Sequence, residues 1–136
     1  MEGGGWDSRR NTRILVETQA LFRLHRSIKK EMHFSTETVA SKIVDLSASG
    51  CALESPFFVP VNTKINLFVE RSVLAGNGKF KNKFSKISGV VKNIRQLPSR
   101  KYRIGLLFAN ISKDDVALIK DYVDQVDRRQ EKRITL

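Results

Sequence analysis

Hydrophobic positions along this chain follow two different periods, and the change of period organises it. Residues 14–24 are apolar and rich enough in β-branched side chains to predict a first strand. Residues 25–31 form a basic, polar connection, after which Thr36, Thr38, Val39, Ile43 and Val44 predict a second strand over residues 34–46. Residues 51–55 resume as a short third strand. Pro56 and Pro60 mark a loop after it, because proline cannot donate to a central ladder. Ile65, Leu67 and Val69 alternate with Asn66, Phe68 and Glu70, the period-two signature of a strand with two distinct faces. Gly76-Asn77-Gly78 marks the tip of a long hairpin, and residues 84–97 return with Ile87, Val90, Val91 and Ile94. Pro98-Ser99 turns the chain, and Tyr102, Ile104, Leu106 and Phe108 alternate once more. Six strands with short connections predict a mainly β fold, a closed or nearly closed six-stranded antiparallel β-barrel that leaves few free edges.

The period then lengthens. Val116, Ile119, Val123 and Val126 recur at intervals of three and four, one apolar stripe of a C-terminal α-helix, with Leu118 and Tyr122 widening or flanking it. Ser112 suits the N-cap, and Asp115 three residues on completes a capping-box-like pair. Asp114 and Asp115 complement the positive end of the helix dipole, and Arg128, Arg129 and Lys132 the negative end. The expected organisation is a lead over residues 1–8 with Gly3-Gly4-Gly5, one barrel domain with its helix over residues 9–127, and a basic tail over residues 128–136. Trp6 in the lead suits either stacking on a base or docking against the barrel.

Composition narrows the function classes. The chain has 136 residues, enough for one domain with a modest core, and no apolar run long enough to span a membrane. No apolar leader stretch opens it, and a single cysteine excludes an internal disulfide, so the expected compartment is the cytoplasm. Cys51 with His25 and His33 gives no metal-ligand spacing. No Ser/His/Asp set, paired catalytic carboxylates or phosphate loop is legible, so the chain is not expected to be an enzyme and no resident cofactor is expected. The net charge of +11 lies entirely between Glu70 and Asp114, an interval without a single acidic residue. Half of the sheet region therefore carries a positive field that attracts anions, or a solvated basic surface.

Two motifs carry the chemistry. Arg9-Arg10-Asn11-Thr12-Arg13 offers three guanidinium groups within five residues, and guanidinium forks match phosphate oxygens and the O6/N7 edge of guanine. Asp45-Leu46-Ser47-Ala48-Ser49-Gly50 offers a carboxylate, a hydroxyl and a glycine turn at a strand exit. An ionised Asp is acceptor-only and suits the N1–H and N2–H₂ donors of a guanine. Together the motifs would grip a guanine nucleotide from both sides. The same residues also fit structural roles. Arg9 and Arg10 suit solvated tail charges, Arg13 suits pairing with Glu17 or Asp45, and Asp45 and Ser47 suit an Asx or ST turn. Gly50 allows a left-handed or otherwise tight backbone with or without a ligand.

The pairing R-x-x-x-R, followed about thirty residues later by D-x-S-x-x-G, resembles the PilZ family of bacterial cyclic di-GMP receptors. Arg9 and Arg13 stand at the family's two arginine positions, and Asp45, Ser47 and Gly50 at the three positions of its second motif. The resemblance runs from about Arg9 to the C-terminal helix. It implies a cyclic di-GMP receptor with ligand residues Arg9, Arg13, Asp45, Ser47 and Gly50; the adjacent Arg10 is expected to join them by stacking on a purine or meeting the second phosphate, and binding is expected to order the N-terminal arginine segment across the barrel. It further implies that some members bind one cyclic di-GMP and others an intercalated pair. Ser8 stands where many relatives carry another charge, which leaves that number open. With no second domain, the expected output runs through an effector protein or the basic face. Two alternatives use other features. A single-stranded nucleic-acid-binding barrel would use Phe80, Phe84 and Tyr102 within the basic interval, and a ligand-independent adaptor would use the fold alone.

Overall fold

A computed structural model describes residues 13–24, 38–75 and 83–134. Six strands form one closed barrel in the order β1-β2-β3-β6-β5-β4: β1 Ile14–Leu24, β2 Thr38–Leu46, β3 Gly50–Ser55, β4 Lys64–Glu70, β5 Phe84–Gln96 and β6 Tyr102–Asn110. Every pairing is antiparallel, and β1 closes the barrel by pairing with both β2 and β4. The predicted barrel is present, and it is closed. Residues 34–37 of the predicted second strand, the Gly76-Asn77-Gly78 tip, Trp6 and Phe80 lie outside the described residues.

The core follows from strand parity. Phe22, Val39, Ile43, Leu53, Ile65, Leu67, Ile87 and Ile104 point inward and are almost fully buried. Val59, from the loop between the two prolines, is fully buried as well, so that loop contributes to the core. Elsewhere along β2 and β5 the pairing contains a bulge: Val44 is the extra residue between Ile43 and Asp45 opposite β3, and Lys92 is the extra residue between Val91 and Asn93 opposite β6. Each insertion reverses the in-and-out alternation beyond it, so that Leu46 and Ile94 turn toward the core and Asp45 and Arg95 turn outward.

Among the described residues, two helices complete the fold. The single-turn α1, Arg71–Ala75, follows directly on β4, where the pattern predicts only hairpin. The C-terminal α2, Lys113–Ile134, packs against α1 and β1; its Ile119 and Val123 are buried in the core, and Leu118, Tyr122 and Val126 are partly buried against it. The predicted basic tail begins at residue 128, yet the helix continues to Ile134. Arg, Gln, Glu and Lys fill that stretch, and all are strong helix formers. The capping box is half formed. Asp115 donates its backbone N–H to Ser112 Oγ at 3.1 Å, but its carboxylate turns away from the cap and accepts from Ser85 Oγ at 2.6 Å. Arg71 completes the cluster, with Nη2 3.3 Å from Asp115 Oδ1 and Nε donating to Ser85 Oγ at 3.2 Å. Asp115 and Ser85 are buried, and this network joins α1, β5 and α2. Among the described residues no helix is long and apolar enough to cross a membrane.

Replacing Asp115 by Ala leaves the Ser85 hydroxyl and the Arg71 guanidinium without their shared acceptor. The expected cost is about 1–3 kcal/mol, read as a lower urea midpoint with an unchanged slope.

Candidate functional site

On the outer wall of the barrel, where β2, β3, β6 and β5 lie side by side, the structure holds a pocket of about 380 Å³. Asp45 reaches it from β2, Lys92, Asn93 and Arg95 from β5, Arg103 from β6, and Arg13 from the chain just before β1. The bulge at Val44 is what makes Asp45 available. With unbroken alternation, Ile43 inward would put Asp45 inward too. Asp45 pairs with Ala52, a small residue that keeps the floor of the pocket low.

Asp45 is held between two arginines. Arg13 Nη1 approaches Oδ1 at 2.5 Å and Arg103 Nη2 approaches Oδ2 at 2.9 Å, so each carboxylate oxygen has its own guanidinium donor. The Arg13 side chain is 54% exposed and that of Arg103 only 28%, so Arg13 is the more solvated of the two arms and Arg103 the one more covered by the wall. Of the two pairings that the sequence allows Arg13, it takes Asp45, while Glu17 pairs with Lys42. Four cationic side chains line the pocket against one carboxylate among the described residues. Such a wall favours an anion with more than one negative charge.

Ser47 and Gly50 build the turn that follows Asp45. Ser47 is fully buried, and its hydroxyl accepts from the Ser49 and Gly50 backbone N–H groups, each at 3.2 Å. The Ser49 N–H bond to the hydroxyl closes an ST turn at the strand exit, and the Ser47 N–H donates to Gly50 O at 2.9 Å across the same turn. Gly50 is demanded by close approach, since a Cβ there would sit 2.3 Å from the backbone oxygen of Leu106. Neither residue lines the pocket. Arg9 and Arg10 lie outside the described residues.

Cys51 lies beneath the pocket floor and is buried. Burial pushes its thiol far above the ordinary range, the Asp45 carboxylate adds to the rise, and Arg13 opposes it. The side chain therefore remains a protonated small hydrophobe. Of the aromatic residues in the basic interval, Phe84 begins β5 and Tyr102 lies opposite its far end at Gln96, where it packs edge-to-face on Phe58. Neither reaches the pocket, so these two rings do not form one stacking groove with it.

Sequence reasoning did not single out Arg103, Arg95, Lys92 or Asn93, which count there only as charge or not at all. Their signal is a break in parity: Val91 and Ile94, three apart, are both core-directed, with the polar pair Lys92-Asn93 between them.

A family profile for the PilZ domain matches residues 7–125. No curated protein sequence matches the chain. Among solved structures it is similar to the inhibitor of motility MotI/DgrA of Bacillus subtilis (16% identity, TM-score 0.66), covering 92% of this chain and 53% of that one. It is likewise similar to the PilZ domain of Escherichia coli YcgR, solved with cyclic di-GMP (12% identity, TM-score 0.59; 93% and 97% covered). The MrkH–cyclic di-GMP complex of K. pneumonia is similar at 20% identity and a TM-score of 0.60, with 92% and 55% covered. The chain thus spans about half the length of MotI/DgrA and of MrkH.

Substituting Asp45 by Ala removes the acceptor shared by Arg13 and Arg103 and leaves the pocket wholly cationic. A loss of about 1–3 kcal/mol in unfolding free energy is expected, and it should shrink as salt screens the repulsion among the remaining charges. Urea unfolding at low and high sodium chloride measures both effects.

Proposed function

The chain belongs to the PilZ domain family, and on that footing we propose that it is a cyclic di-GMP receptor whose site is the pocket around Asp45. The observation that carries this reading is the acceptor-only carboxylate set between two guanidinium groups on a concave, cationic wall. A cyclic dinucleotide presents both complements, two phosphates for the cations and guanine donor edges for the carboxylate. YcgR and MrkH, similar in fold, have been solved with cyclic di-GMP, which supports the same ligand class here.

In the proposed mechanism Arg13 leaves Asp45 and, with Arg9, clamps phosphate and the guanine O6/N7 edge. Arg10 stacks on a purine or meets the second phosphate. Asp45, still held by Arg103, accepts from the guanine N1–H and N2–H₂. Ser47 and Gly50 act through the turn that aims Asp45. The exchange is balanced on both sides, because Arg13 trades one anion for another and Asp45 keeps Arg103 on its second oxygen. Residues 9–13 are drawn over the barrel as the ligand binds, an order-on-binding switch whose altered surface an effector protein reads in the cytoplasm.

Calorimetric titration with cyclic di-GMP tests the reading and reports whether one or two ligands bind. Arg13→Asp should abolish binding while the barrel keeps its circular dichroism spectrum; unchanged affinity would remove the arginine clamp. Asp45→Ala should weaken cyclic di-GMP roughly 5- to 150-fold, and more than it weakens the adenine dinucleotide. Equal losses for the two ligands would remove the edge-reading role.

A further inference from the structure

Arg95 and Arg103 lie directly opposite each other across β5 and β6, and Asn93 lies opposite Gly105 two positions along. Arg103 faces outward because Ile104 is buried in the core, and Arg95 because Ile94 packs inward. Two like charges in register on one face of an antiparallel pair repel each other. Arg103 is compensated by Asp45, but neither Arg95 nor Lys92 has a carboxylate within ion-pairing distance among the described residues. The arrangement is also built with care for space. The bulge turns both Lys92 and Asn93 outward, and Gly105 leaves room for the Asn93 amide to lie across it, since a Cβ there would meet Asn93 Oδ1 at 2.5 Å. All of these residues line the pocket that contains Asp45.

We propose that the β5 bulge and the Arg95–Arg103 cross-strand pair form a second anion subsite, which takes a phosphate of the nucleotide from the side opposite the N-terminal arginines. This rests on the receptor reading above and adds residues that belong to neither motif. Arg95 and Lys92 supply the free cationic donors, Arg103 holds Asp45 and closes the inner side, and a bound phosphate removes the repulsion between the paired arginines. Ligands lacking a second phosphate forgo this contact.

The test uses the full chain, cyclic di-GMP as probe, and two readouts on each variant: affinity, and unfolding temperature without ligand. Arg95→Glu puts a carboxylate opposite Arg103, so it should unfold at a higher temperature than the wild type and yet bind at least tenfold more weakly. Arg95→Ala and Lys92→Ala, exposed positions where truncation leaves the fold intact, should each weaken binding roughly 5- to 150-fold, by analogy with other bidentate or charge-assisted contacts. A merely structural role for Arg95 would give the reverse: lower stability in Arg95→Ala with affinity unchanged. If the wild type binds and all three variants match its affinity, the subsite is overturned while the receptor reading stands. If the wild type does not bind cyclic di-GMP, both fall together.

Discussion

A strand in a closed barrel has no freedom of parity: once its core side chains are committed, every other residue faces out. Beside the pocket this chain escapes the rule by inserting one residue, Val44 in β2 and Lys92 in β5. Both insertions lie along the same outer wall, and each turns an ionisable side chain toward the pocket while keeping an apolar neighbour in the core. Leu46 remains buried as Asp45 turns out, and Ile94 packs inward as Arg95 turns out. A pocket-lining charge and a core side chain thus come from adjacent residues, and neither bulge can be ironed flat without reversing both assignments.

The electrostatics of the wall follow from that geometry. Asp45 alone opposes four cations among the described lining residues, and its two oxygens are divided between a mostly exposed arginine and a mostly covered one. The clamp is asymmetric: Arg13 is open to water over half of its side chain, whereas Arg103 is mostly covered by the wall.

Much of the fold was legible in the chain. The period-two runs of β4 and β6 and the three-and-four spacing of α2 locate those elements because each buries one face and solvates the other. Asp45 was legible through its motif, and its pairing with Arg13 was among the roles the residues allow. What stayed hidden depends on contacts between strands distant in sequence: Arg103 meets Asp45 only because β3 pairs with β6. The one-turn α1 was hidden for a different reason: five residues are too few to express a helical period. Asp115 shows the limit of motif reading, since its cap spacing was legible but its carboxylate serves Ser85 and Arg71 instead.

The Asp115 cluster gives the two ends of α2 unequal mechanical standing. At the start, a buried carboxylate, a buried hydroxyl and an arginine from a different helix must all lose their partners together if the first turn lifts. Farther along, Asp124, Gln125, Arg128 and Arg129 face solvent and oppose no such separation. Pulled from its far end, the helix would peel turn by turn and then halt at a polar rivet, so a partner grasping its C-terminal half would meet a handle already pinned to the barrel.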